Sequence, residues 1–86
     1  MRYTVLIKRQ ARRKLQSLPA AERSRIAERI HQLGLHPDNP ALDVKRLEGE
    51  PYYRLRVGAW RVIFDRQDPV KVIAIERIKP RGDAYK

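Results

Sequence analysis

Apolar residues change their spacing several times along this chain, and each change predicts an element. Residues 3–8, Tyr3-Thr4-Val5-Leu6-Ile7-Lys8, are β-branched and aromatic and predict a strand. From Arg9 the period lengthens: Ala11, Leu15 and Leu18 stand at i, i+4 and i+7, the spacing of one helix face. Pro19 interrupts, and proline suits the first position of a new helix because its missing N–H is unpaired there anyway. Ile26, Ile30 and Leu33 repeat the helical spacing, with Gly34 and Pro37 as the predicted stop. Neither helix is apolar enough to stand alone, so both are expected to lay their stripes on a sheet.

Residues 36–51 hold Pro37, Pro40 and Pro51 and predict a connecting loop, docked through Leu42, Val44 and Leu47. Strict alternation follows. Tyr53, Leu55 and Val57 point one way, Tyr52, Arg54 and Arg56 the other. Gly58-Ala59 suits a two-residue type II′ turn into Trp60-Arg61-Val62-Ile63-Phe64-Asp65. That register sets Val57 opposite Trp60, Leu55 opposite Val62 and Tyr53 opposite Phe64, all on one buried side. A turn at Arg66–Pro69 leads into a strand at Val70–Ile78, whose nearly continuous apolar run predicts a central position. The order β-α-α-β-β-β predicts one α+β domain over residues 1–86, a two-layer sandwich of helices on an antiparallel meander.

Charge adds a second pattern. The chain has 86 residues, with 20 Lys+Arg against 10 Asp+Glu and a net charge of +10. Both halves share it, so it belongs to the folded body rather than to a tail, and an acidic partner is expected. No apolar run approaches the ~20 residues of a membrane span, and no signal-peptide core is present. With no cysteine there is no disulfide framework or thiolate site, and two histidines, His31 and His36, do not make a tetrahedral zinc site. Both are read as surface or capping residues. No phosphate-binding glycine loop, dinucleotide fingerprint or Ser/His/Asp ordering appears. The expectation is a soluble, cytoplasmic domain without metal or small-molecule cofactor.

On the polar side of the predicted hairpin, Arg56 faces Arg61 and Arg54 faces Ile63. Two like charges directly opposite across an antiparallel ladder destabilise it, and stability alone would favour a carboxylate there. Guanidiniums converging on one face suit a chain of phosphates, which they bind bidentately. The alternative is that these arginines are splayed into water or paired with Asp65, Glu76 or Asp83. A second basic run, Lys8, Arg9, Arg12, Arg13 and Lys14, lies on the first helix and reads either as a solvated face or as a docking surface for rRNA or an acidic protein. Arg81 follows Pro80 beyond the last strand, and Tyr85 is the penultimate residue, a phenol able to stack on a base or exchange a proton if it reaches the arginines.

With these residues in view, the sequence resembles the RelE/ParE superfamily of bacterial toxins from type II toxin–antitoxin modules over nearly its whole length. The resemblance is carried by the element order, by Leu47-Glu48-Gly49-Glu50-Pro51-Tyr52-Tyr53-Arg54-Leu55-Arg56-Val57-Gly58, by Trp60-Arg61-Val62-Ile63-Phe64, and by the ending Ile78-Lys79-Pro80-Arg81-Gly82-Asp83-Ala84-Tyr85. Its RelE branch cleaves mRNA in the ribosomal A site; its ParE branch poisons DNA gyrase on a similar scaffold. By position, Arg54, Arg56, Arg61, Arg81 and Tyr85 match the basic and tyrosine set of the RelE branch. This set implies a metal-independent endoribonuclease in which the RNA 2′-OH attacks the adjacent phosphate. Tyr85 is then the candidate base, Arg61 steadies the phosphorane, Arg81 the leaving oxygen, and Arg54 and Arg56 the flanking phosphates. The first-helix run would meet rRNA, and a cognate antitoxin would wrap the toxin. Two departures stand out. Arginines occupy positions where well-known members often carry lysine, and Pro80 replaces a histidine frequent before the final arginine. A gyrase inhibitor and a non-catalytic RNA-binding domain are the competing readings.

Overall fold

The computed structural model describes residues 2–80. Strand β1 (Thr4–Ile7) leads to helix α1 (Arg9–Ser17) and helix α2 (Ala20–Leu35), then to β2 (Asp43–Arg46), β3 (Tyr53–Val57), β4 (Trp60–Gln67), a 3₁₀ turn (Asp68–Val70) and β5 (Val72–Pro80). The sheet order is β1-β5-β4-β3-β2, with β1 parallel to β5 and every other pair antiparallel. Both helices cover one face. The α+β class and the helix-on-sheet layering are those the sequence predicts.

The helical stripes bury as their spacing demands. Ala11, Leu18, Ile26, Ile30 and Leu33 are all buried, and they meet Leu55, Val62, Phe64, Ile73 and Ile75 from the sheet in one core. Pro19 sits one residue earlier than expected, at the N-cap of α2 rather than inside its first turn. Gly34 is not the stop either: it lies within the helix, which runs on to Leu35. A Cβ on Gly34 would stand 2.6 Å from Val5 Cγ2, and the Tyr3 amide donates to the Gly34 carbonyl at 2.7 Å. The missing side chain therefore lets α2 close on β1.

Two sheet details correct the sequence reading. The segment expected to be loop contains β2, a four-residue edge strand paired with β3. It is short and mostly charged, as exposed edges commonly are, so only Val44 gives an inward apolar signal. Leu42 buries as expected. The last strand begins at Val72 rather than Val70, which is exposed in the 3₁₀ turn. β5 is interior, flanked by β1 and β4, but the middle of the five strands is β4.

The β3–β4 hairpin has the predicted register at all five pairs, Val57↔Trp60 through Tyr53↔Phe64. Gly58 has φ +57 and Ala59 is not in the positive-φ region, the pattern of a type II′ turn. At the other end of β4 from the hairpin turn, Arg66 clasps three segments together. Its guanidinium donates to Asp38 at 2.7 and 3.2 Å and to Asp68 at 2.7 Å, while the Tyr3 hydroxyl donates to Asp68 at 2.9 Å. Hydrogen bonds from Arg66 hold both carboxyl groups below the usual aspartate range and raise the Arg66 guanidinium above its own. The clasp ties the loop after α2 and the β4–β5 turn to the N-terminal segment.

Candidate functional site

The face of the sheet turned away from the helices carries two cross-strand rows. One runs Asp43–Arg56–Arg61–Lys79 through β2, β3, β4 and β5; the next runs Lys45–Arg54–Ile63–Arg77. Antiparallel partners stand ~4.5–5.5 Å apart at Cα, so Arg56, Arg61 and Lys79 are cationic neighbours. The predicted juxtaposition of Arg56 with Arg61 is present.

A break in register places the β5 cations on this face. Ile63 pairs with Arg77 but Phe64 with Ile75, leaving Glu76 as an extra residue in a β-bulge. Before the bulge Ile73 and Ile75 face the core; after it Ile78 does, and Arg77 and Lys79 are turned to the open side. These two are the site residues that strict alternation misses. Their signal is the odd spacing between Ile75 and Ile78, incompatible with one uninterrupted period of two.

Beside this row, at its β4–β5 end, lies a pocket of about 290 Å³. Arg61, Arg77 and Lys79 line it with Glu76 and Ile63, and Leu47, Glu50 and Tyr52 complete it from the β2–β3 connection. That connection is held by the Leu47 N–H, which donates to the Tyr52 carbonyl at 2.9 Å, and turns at Gly49 with φ +75. Among the described residues Arg61, Arg77 and Lys79 have no salt bridge, and Arg61 Nε is buried without a hydrogen-bond partner. Among the described residues Arg61, Arg77 and Lys79 thus offer this face cationic donors that no carboxylate pairs within salt-bridge distance, although Glu50 and Glu76 share the pocket lining. The face can receive a phosphate and stabilise added negative charge on it.

Arg54 departs from the expectation that both hairpin arginines lie open on this face, whereas Arg56 is exposed there. Arg54 is buried, its side chain 9% exposed, and pairs with Asp43 at 3.3 Å; Arg56 is 39% exposed and 3.7 Å from the same carboxylate. The partner comes from β2, the strand absent from the sequence reading. Of the partners considered there, Glu76 instead pairs with Lys8 at 3.6 Å, and the Asp65 carboxylate accepts from Gln67. Arg81, Asp83 and Tyr85 lie outside the described residues.

The first-helix run divides. Arg9, Arg13 and Lys14 line a groove of about 650 Å³ with Arg77, Ile78, Lys79 and Pro80. Lys14 also lies over the Trp60 ring, 5.3 Å from its centroid. Lys8 is the N-cap residue of α1, and Arg12 is exposed but does not line this groove. Because Arg77 and Lys79 line both cavities, the basic side of α1 and the open sheet face form adjoining cationic surfaces.

Comparison with known proteins agrees with this architecture. Residues 5–85 match the family described as ParE toxin of type II toxin-antitoxin system, parDE. The toxin RelE1 of Methanocaldococcus jannaschii is 32% identical over 88 residues, covering 100% of this chain and 98% of the relative. The archaeal RelE–RelB complex of Pyrococcus horikoshii contains a chain that is 41% identical, with TM-score 0.82 over 95% of this chain and 98% of that one. A chain of the Mycobacterium tuberculosis toxin–antitoxin complex RelBE2 is 26% identical, with TM-score 0.77 over 94% and 100%.

Proposed function

The chain belongs to the RelE/ParE superfamily of type II toxin–antitoxin toxins, and we propose that it is the ribosome-dependent endoribonuclease form of that toxin, cleaving mRNA in the A site and so arresting translation in the cytoplasm. The observation that carries this reading is the row Arg56–Arg61–Lys79, with Arg77 beside it. Such a surface matches the chemistry of a phosphodiester passing through a more highly charged phosphorane.

In the proposed reaction the RNA 2′-oxygen forms a bond to the adjacent phosphorus and the bond to the 5′-oxygen breaks. The products are a 2′,3′-cyclic phosphate and a 5′-OH end. DNA has no 2′-OH and is not a substrate. The 2′-OH proton passes to Tyr85 as base, the departing 5′-oxygen takes a proton from solvent water, and Arg81 steadies that oxygen. Arg61 carries the phosphorane charge, and Arg56 holds a flanking phosphate. Arginine stays protonated at neutral pH, so these guanidiniums act as fixed charges rather than proton carriers. The site needs the mRNA presented in line, and the ribosome supplies that positioning, a contribution that reaches ~7–11 kcal/mol in favourable cases. The basic run of α1 and its N-cap, Lys8, Arg9, Arg12, Arg13 and Lys14, then meets rRNA.

A cognate antitoxin is the second partner. The similar chains from Pyrococcus horikoshii and Mycobacterium tuberculosis were each solved in complex with an antitoxin, and a chain of charge +10 attracts an acidic one.

The match to the ParE description favours a second reading, inhibition of DNA gyrase on the same scaffold. Two assays on one preparation separate the readings. Cleavage of ribosome-bound mRNA with gyrase supercoiling unaffected supports the nuclease; the reverse pair of results supports the gyrase inhibitor.

A further inference from the structure

Asp43 sits on edge strand β2 directly opposite Arg56 and divides its carboxylate between two arginines. Oδ1 lies 3.3 Å from Arg54 Nη1, and Oδ2 lies 3.7 Å from Arg56 Nη1. The two guanidiniums are in different surroundings. Arg54 is withdrawn from water, and a buried charge persists only where it is paired; among the described residues Asp43 is its carboxylate partner. Arg56 remains accessible, and its contact with Asp43 is too long for a strong hydrogen bond. Such an exposed, stretched pair is readily exchanged for a phosphate.

Arg56 is also flanked by charges of opposite sign. Arg61 repels it from β4 and Asp43 attracts it from β2. Left with Arg61 alone, its long side chain would swing away from the row. Asp43 is itself held because its other oxygen is engaged by the buried Arg54.

We propose that Asp43 is a positioning residue of the cationic face: anchored on buried Arg54, it holds Arg56 in the row beside Arg61 and yields it to an RNA phosphate. Arg54 then serves as the anchor of this device rather than as a phosphate contact. The inference rests on the RNA reading above and assigns its residues different tasks.

The test uses the full chain, a fluorescein-labelled 12-nucleotide oligouridylate followed by anisotropy across a salt series, and mRNA cleavage on programmed ribosomes. Asp43→Asn keeps an amide oxygen for Arg54 but removes the charge that restrains Arg56. Its RNA binding is expected to tighten about two- to fivefold, with the log–log salt slope unchanged because Arg56 meets a phosphate in both chains. Its cleavage rate is expected to fall about tenfold, because Arg56 is no longer held in place. Tighter binding with slower turnover is a combination that simple loss of folded protein does not produce. Asp43→Asn combined with Arg54→Met removes the buried charge with its partner and is expected to keep the salt slope of Asp43→Asn. A slope shallower than that by ~0.7 would show Arg54 on a phosphate and overturn the assignment. Equal binding and turnover in wild type and Asp43→Asn overturns it as well. Failure of the wild-type chain to bind the oligonucleotide overturns the RNA reading itself, before any variant is compared.

Discussion

Arg56 stands directly across the β3–β4 ladder from Arg61, and Lys79 continues the same row on β5. Like charges in this arrangement cost a sheet some tenths of a kcal/mol per pair. The fold retains them on the face of the sheet turned away from the helices, and Asp43 offsets the row only at its far end.

Arg61→Ala should lower the rate of mRNA cleavage about 10²–10³-fold, the usual cost of removing one preorganised donor from a developing oxyanion. Circular dichroism and thermal melting should be unchanged, because Arg61 forms no salt bridge among the described residues. Cleavage at the wild-type rate would remove Arg61 from the chemistry.

Neutralising Arg77 and Lys79 together should reduce the salt dependence of single-stranded RNA binding. With two fewer phosphates neutralised, the log–log slope becomes shallower by ~1.4. Fluorescence titration of an oligonucleotide at several salt concentrations measures it. An unaltered slope would place the RNA elsewhere than on β5.

Gly34→Ala should destabilise the fold by about 1 kcal/mol. The added methyl meets Val5 Cγ2 at 2.6 Å, and overpacking of about 1–3 kcal/mol outweighs the gain of up to ~1 kcal/mol in helix propensity. Val5→Ala in the same chain should recover part of that loss, which urea denaturation of the two variants would show as coupling between the sites.

The Arg66 clasp makes an acid-sensitive contribution to stability. Hydrogen bonds from Arg66 hold Asp38 and Asp68 below their unfolded pKa, so folding is favoured while both are ionised. That contribution is complete above the ordinary aspartate range, near pH ~4. It disappears as pH falls through the depressed folded values. Melting temperature followed from pH 6 downward should fall over this window, and Arg66→Gln should flatten that part of the curve while lowering its plateau.

How much of this was legible depended on how many side chains reported each feature. The hairpin register was readable because six apolar residues on two strands agree on it, and Gly58 supplies the turn. The helical stripes were equally redundant. β2 was hidden because a charged four-residue edge strand shows one inward residue, Val44, between prolines that indicate a loop. With β2 unseen, Asp43 had no place on the cationic face, and Arg54 read as an exposed phosphate ligand rather than a buried partner. Arg77 and Lys79 were obscured by a bulge that reverses the alternation within one strand, although the Ile75–Ile78 spacing encodes it. Arg61 needed none of these corrections.

Primer extension on a defined mRNA, with and without programmed ribosomes, tests the central claim most directly. The nuclease account predicts cuts inside the A-site codon only when ribosomes are present, leaving 5′-OH ends, and their loss with Arg61→Ala. Intact mRNA in both lanes, from a preparation that still arrests growth, would contradict it and direct attention to gyrase.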